Sequence, residues 1–227
     1  LDSGGKRIIS VSASDKKTEV LGGEALGEPK NMALYSARFF ILNNEGIVET
    51  SKKTAAKVVI ERDEEWQEII RIAAFGGNLY LLDRGENQIW RYPGTEAGFG
   101  TRQSWLGSGV TPDFSKISDF AIDGSIWLLS QSGNMAKFTR GSPDAFKIAG
   151  LDGTFSNPAA IYTDEELDSI FILDRGNNRL VEVAKDGEYQ KQYLWSGLAE
   201  GKDMVVSKTV GKIFLLTQDK ILEIPLK

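Results

Sequence analysis

The sequence predicts an all-β fold, a β-propeller of five blades with about four antiparallel strands each, and three observations carry that prediction. A short apolar run closed by a polar residue occurs five times. Its period matches the 40 to 45 residues of a propeller blade, with the scatter that loops of varying length produce. The same two companion segments flank every run.

The runs are Phe39-Phe40-Ile41-Leu42-Asn43, Leu79-Tyr80-Leu81-Leu82-Asp83, Ile126-Trp127-Leu128-Leu129-Ser130, Ile170-Phe171-Ile172-Leu173-Asp174 and Ile213-Phe214-Leu215-Leu216-Thr217. Their closing positions are separated by 40, 47, 44 and 43 residues. Each is too short for a core helix, and a continuous apolar strand is what a sheet buried on both faces requires. Before each run comes Asn31-Met32-Ala33-Leu34, Arg71-Ile72-Ala73-Ala74, Asp119-Phe120-Ala121-Ile122, Pro158-Ala159-Ala160-Ile161 or Asp203-Met204-Val205-Val206. The small third residue marks the innermost strand, where crowding at the axis admits Ala or Val.

After each run a turn leads into a strand of alternating character: Gly46–Glu49, Gln88–Arg91, Asn134–Lys137, Arg179–Glu182 and Lys220–Glu223. Asn43-Asn44-Glu45-Gly46 and Arg175-Gly176-Asn177-Asn178 supply the positive-φ residues of tight turns. Outer strands are expected at Lys57–Arg62, Ala145–Ala149 and Tyr189–Trp195. The last repeat stops after its third strand, so Arg7–Val11 and Thr18–Leu21 are expected to complete it beside Lys220–Ile224 and to close the fold by pairing amino- and carboxy-terminal strands. That count leaves one strand surplus, and a partly split sixth blade is the alternative. The expectation is one propeller domain over residues 1–227, excised from a larger protein, since Leu1-Asp2-Ser3-Gly4-Gly5 has neither Met nor a signal-like apolar core.

Composition removes several functions. The net charge is -5 with both signs interspersed, so no basic block offers itself to phosphates and nucleic acid is not an expected partner. The absence of cysteine excludes disulfides and thiolate chemistry, and the absence of histidine excludes imidazole triads and histidine zinc sites. No run reaches the ~18 apolar residues of a membrane-spanning helix. The glycine-rich stretch Gly94–Gly100 lacks the lysine and helix entry of a phosphate-binding loop.

Asn157-Pro158-Ala159-Ala160-Ile161 through Ile170-Phe171-Ile172-Leu173-Asp174-Arg175-Gly176-Asn177-Asn178-Arg179-Leu180 resembles an NHL-type propeller repeat, and Leu81-Leu82-Asp83-Arg84-Gly85-Glu86-Asn87-Gln88-Ile89-Trp90 is similar to it. The resemblance spans the chain in architecture and about two blades in motif. NHL-like propellers commonly have six blades and serve as interaction or sensor modules, including ectodomains of bacterial receptor-type kinases. The resemblance therefore implies a non-catalytic ligand- or protein-binding module, a sensor or scaffold without cofactor and not an enzyme. The domain is expected to be monomeric and bacterial, with cytoplasm and exterior both open and the extracytoplasmic side slightly favoured. Lyases on similar propellers depend on histidines that this chain lacks, whereas lactonase-like propellers place acidic and amide metal ligands at their axis. A metal-dependent lactonase-like hydrolase using Asp119, Asp203, Asn31 and Asn157 is thus the first alternative. A structural ring for oligomerisation is the second.

Asn31, Arg71, Asp119, Asn157 and Asp203, at the starts of the inner strands, are expected to converge at one mouth of the channel as the ligand site. Two carboxylates with amide oxygens suit a hard cation such as Ca²⁺, although Arg71 opposes that and a polar rim is ordinarily solvated. Asp83 and Asp174 are expected to accept hydrogen bonds within their turns, with the following arginine as partner. Trp105 and Trp195, at the ends of outer segments, are candidate interface residues. The insertion from Tyr92 to Lys116 is a second contact surface.

Overall fold

Short apolar runs separated by Gly-, Asn- and Asp-bearing turns fold as antiparallel meanders, because no segment is long enough to bury a helical face. The computed structural model describes residues 1–227. It is a five-bladed β-propeller fold, formed of two compact units, Leu1–Trp105 and Leu106–Lys227. No helix is long and apolar enough to cross a membrane.

The first unit opens with a hairpin of β1 (Arg7–Val11) and β2 (Thr18–Gly22). The first blade follows as β3 (Asn31–Tyr35), β4 (Arg38–Leu42), β5 (Gly46–Ser51) and β6 (Lys57–Glu61), hydrogen-bonded in that order. Gly46 enters β5 at φ 135, and a Cβ there would lie 2.1 Å from the Ile60 carbonyl oxygen, so only glycine fits this approach of β5 to β6. The second blade contains β7 (Ile69–Phe75), β8 (Asn78–Asp83) and β9 (Gln88–Tyr92). A small hairpin of β10 (Gly94–Thr95) and β11 (Gly98–Phe99) precedes its outer strand β12 (Gln103–Ser104). The first half of the long insertion is thus built into the blade. Phe99 from that hairpin meets Phe40 edge-to-face at 5.5 Å.

The second unit holds the third blade, β13 (Ile117–Ile122), β14 (Ser125–Ser130), β15 (Met135–Thr139) and β16 (Ser142–Asp144). The fourth is β17 (Pro158–Tyr162), β18 (Ser169–Asp174), β19 (Arg179–Ala184) and β20 (Tyr189–Leu194). The fifth has three strands, β21 (Asp203–Ser207), β22 (Lys212–Leu216) and β23 (Ile221–Pro225). All five apolar runs become the second strand of a blade. In the fourth, Ile170, Ile172, Leu173, Leu180 and Val181 are wholly enclosed, and such complete burial contributes about 1.5–3 kcal/mol per large aliphatic side chain.

Three expectations are corrected. The amino-terminal hairpin does not complete the last blade: β1 pairs only with β2, and Ile8, its one buried residue, packs with Leu26, Ile41 and Val48 against the first blade. A single inward residue on a strand otherwise partly or fully exposed is satisfied by that local contact. The outer strand of the third blade is Ser142–Asp144 and not Ala145–Ala149, because Arg140 and Gly141, at φ 52 and 81, form a two-residue turn straight after β15. Ala149 instead makes a bridge to Glu188 of the fourth blade. Lastly, the fourth blade is shifted by two residues in its inner strand. Asn31, Arg71, Asp119 and Asp203 face the last apolar residue of their runs, and in the fourth blade Ala160 does so, opposite Leu173. Ala160, not Pro158, is therefore the counterpart of Asn31.

Candidate functional site

Within each unit, the first strands of successive blades lie side by side: β3 beside β7 in the first, and β13 beside β17 and β17 beside β21 in the second. The polar residue opening such a strand therefore lies near the backbone of the next blade. Asn31 Oδ1 accepts the Ile72 N–H at 2.9 Å, and Asp119 Oδ2 accepts the Ile161 N–H at 3.0 Å. The two bonds occupy the same place in the repeat, each joining a blade to the residue after the opening position of its neighbour. Asp119 Oδ1 also accepts the Phe120 N–H at 2.8 Å, and Asp203 Oδ1 accepts the Met204 N–H at 2.9 Å. Asn31 and Arg71 belong to the first unit, while Asp119, Asn157 and Asp203 belong to adjoining blades of the second.

In the second, third and fourth blades the inner strand carries a β-bulge at one equivalent place, between Ile69 and Arg71, Ile117 and Asp119, and Pro158 and Ala160. A bulge leaves one residue unpaired and turns it out of the ladder. In the second unit those residues are Ser118 and Ala159, and both line a depression of about 380 Å³. Its other walls are Pro158 at the start of β17 with Asn157 just before it, Gln131 and Arg175 just past the ends of β14 and β18, and Lys202 just before β21. Of the predicted site residues, only Asn157 lines it. Asp119 and Asp203 adjoin it in sequence, and their carboxylates are engaged with backbone N–H groups.

The walls carry two cations and no carboxylate. Arg175 is half-buried, and its Nη2 donates to Asn157 Oδ1 at 3.3 Å while its Nε is buried without an acceptor. Asn157 sits exposed at φ 51, in the left-handed region that asparagine tolerates. Lys202 donates from Nζ to Gln218 Oε1. The residue after Arg175 must be glycine on steric grounds: a Cβ at Gly176 would lie 2.6 Å from the Ser156 carbonyl oxygen.

Asp174 anchors the floor of this loop. Wholly buried, it accepts from the Ser156 N–H at 2.7 Å, from Asn177 Nδ2 at 2.8 Å and from Arg179 Nε at 2.7 Å. Asp83 has the equivalent place in the second blade, accepting the Gln67 and Glu68 N–H groups at 3.1 and 2.9 Å and Trp90 Nε1 at 3.0 Å. Both aspartates hold their turns together, but neither uses the arginine that follows it. Arg84 pairs with Glu68 and Arg175 with Asn157.

A hard-cation site does not fit these residues. No group of three or more Asp, Glu, His or Cys side chains is assembled anywhere, and both oxygens of Asp119 accept backbone N–H groups. Oxygens already aimed at N–H donors are poor partners for an ion that takes six to eight ligands.

Of the two candidate interface tryptophans, Trp195 is 44 % exposed beside Leu194 at 70 %, and its indole lies over Gly197. Trp105 is half-buried, its backbone N–H donating to the Ile89 carbonyl at 2.9 Å. Sequence reasoning missed Ser118, Gln131, Arg175 and Lys202 as wall residues. The bulges had no sequence signal, because the unpaired residue shows only against the partner strand.

No family model matches the chain, and no curated protein matches it. Solved structures do. A virginiamycin B lyase from Staphylococcus aureus, inactivated by replacement of one histidine and crystallised with quinupristin, superposes with TM-score 0.61 at 16% identity, over 99% of this chain and 79% of that one. A chain of the nidogen/laminin complex gives 0.69 at 11%, over 98% and 86%. XC5397 of Xanthomonas campestris, a gluconolactonase, gives 0.70 at 11%, over 100% and 81%. Identities this low establish the propeller and not the finer NHL-type assignment. They also correct the expectation of a non-enzymatic module, because enzymes stand among the structures most like this chain. The chain is similar to β-propellers that include a lyase, a gluconolactonase and a component of a laminin complex, and that similarity is one of fold.

Proposed function

We propose that the chain binds a small molecule in the depression walled by the third, fourth and fifth blades. One observation carries this reading: two bulges at the same place in successive repeats open Ser118 and Ala159 into one concavity, alongside an arginine with a buried, unsatisfied N–H. A bulge re-aims side chains at the cost of ladder bonds, and such bulges concentrate at functional sites. Polar groups converging on a concave surface are the usual make-up of a ligand site.

The test is a ¹H–¹⁵N spectrum of the intact chain against a small-molecule collection. Ligands of this site are expected to shift the amides of Ser118, Gln131, Gly176 and Asp203 together. Compounds that shift only amides outside the second unit, or none at all, would remove the reading.

The lyase and the gluconolactonase among the structural neighbours favour a second reading, in which the bound compound is also turned over. Mass spectrometry of each binder after incubation tests it. A product that disappears in Arg175→Gln supports turnover at this site, and unchanged binders count against it.

A further inference from the structure

The repeat contains its own template for what the depression binds. Arg84 in the second blade and Arg175 in the fourth each stand two residues after the last apolar residue of the run, immediately after the buried aspartate. Three residues before the opposed inner-strand position stand Glu68 in the second blade and Asn157 in the fourth. In the second blade the pair is complete: Arg84 Nε donates to Glu68 Oε2 at 2.9 Å and Nη2 donates to Glu68 Oε1. This two-point fork is the strongest arrangement between a guanidinium and a carboxylate. The pairing holds the Glu68 carboxyl below its ordinary pKa.

The fourth blade keeps the arginine and replaces the acid with an amide. Arg175 makes no ion pair, Asn157 reaches it with one oxygen at 3.3 Å, and Nε is left without an acceptor. Where the second blade is closed by its own carboxylate, the fourth opens onto the depression, with Lys202 on the wall contributed by the fifth blade. Asn157 is exposed, so an incoming group can displace it from the guanidinium edge.

We infer that the ligand of this depression carries a carboxylate, which Arg175 binds as Arg84 binds Glu68. The inference rests on the proposed binding role of this depression and names its ligand class. Lys202 adds a second cation to the walls, so a dicarboxylate is the better ligand. The planar fork favours a carboxylate over a neutral hydroxyl compound.

The experiment titrates the intact protein with succinate, with inorganic phosphate and with a neutral disaccharide, following the arginine Nε–H resonances and the amides of Gln131, Gly176 and Asp203. Succinate is expected to shift these signals saturably. Arg175→Gln is expected to weaken it at least tenfold. Asn157→Asp, which places an internal carboxylate beside Arg175 and keeps a residue type that tolerates the left-handed backbone, is expected to do the same. Arg84→Gln, away from the depression, is expected to leave it unchanged. Because Asn157→Asp adds a partner to Arg175 rather than removing one, its result stands even if Arg175→Gln fails to fold.

Undiminished succinate binding in Asn157→Asp would overturn the inference. Phosphate binding as tightly as succinate would overturn it in favour of a general anion site. A response to the disaccharide alone would reject the carboxylate while leaving a binding site in place, and silence of these amides to all three probes would reject the carboxylate and leave the binding role to the screen against the small-molecule collection.

Discussion

The second and fourth blades place an aspartate at the same point and stabilise it by different means. Asp83 is held by backbone N–H groups of the preceding loop, by the Glu86 N–H of its own turn and by the Trp90 indole, all neutral donors. Asp174 is held by one backbone N–H, the Asn177 amide and the buried guanidinium of Arg179, which reaches on to the carbonyls of Asp152 and Thr154. The repeat thus demands an acceptor at the end of its central strand, and each blade supplies its own donors. The same polar closure is met without charge in the first blade, where Asn43 accepts from Glu45 and Gly46 and donates to the Leu26 carbonyl.

The largest expected effect that separates the two aspartates is Asp174→Asn. It strands Arg179, which is 7 % exposed, and removing one member of a buried ion pair costs about 3–5 kcal/mol. Urea unfolding is expected to show this as a lower midpoint with an unchanged slope. Adding Arg179→Met should return part of the loss, since the penalty lies in the uncompensated charge; a double variant no better than the single one would refute that explanation.

Asp83→Asn is the matched change. It retains one acceptor oxygen and strands no cation, so about 1–2 kcal/mol is expected, the scale of a backbone hydrogen bond made worse. Equal losses at the two positions would break the comparison. Trp90→Phe, which removes the indole donor to Asp83 and shrinks the ring face beneath the Arg102 guanidinium, is expected to cost about 1–2 kcal/mol in the same assay.

Alkali gives the most selective contrast. Burial raises the Tyr92 phenol to about pKa 12, opposed in part by the hydrogen bond it accepts from Trp66 Nε1. A raised folded-state value means that this group's contribution is complete below the ordinary tyrosine pKa near 10 and is lost as the pH rises towards 12. Tyr92→Phe is expected to abolish that part of the alkaline decline, measured by thermal melting between pH 9 and 12.

The blades were legible because their central strands are apolar on both faces, a pattern that survives any variation in the loops. The aspartate hubs were legible too, since a polar residue ending an apolar strand has few tasks other than turning the chain. The amino-terminal hairpin was misplaced because its only directional signal is the burial of Ile8, and one apolar residue does not say which sheet it will cover. The turn at Arg140 escaped because its first residue is an arginine at positive φ, not the Asn or Asp that usually announces such turns. The depression was harder still. The fourth inner strand stands two residues away from where the alignment set it, with Ala160 and not Pro158 in the place of Asn31. The pair of Arg175 with Asn157 spans 18 residues that no local pattern links.

The bonds from Asn31 to Ile72 and from Asp119 to Ile161 have one more consequence. Each blade that makes this bond carries in its own sequence the hook for its successor, and the successor offers only a backbone N–H, which every residue but proline possesses. A copied blade would therefore arrive with its fastening already built and need nothing particular of its new neighbour. Growth by tandem duplication is open to such a chain without any matched change elsewhere, and the spread of its repeats to low mutual likeness, with the clasp intact in separate places, is what that freedom would leave behind.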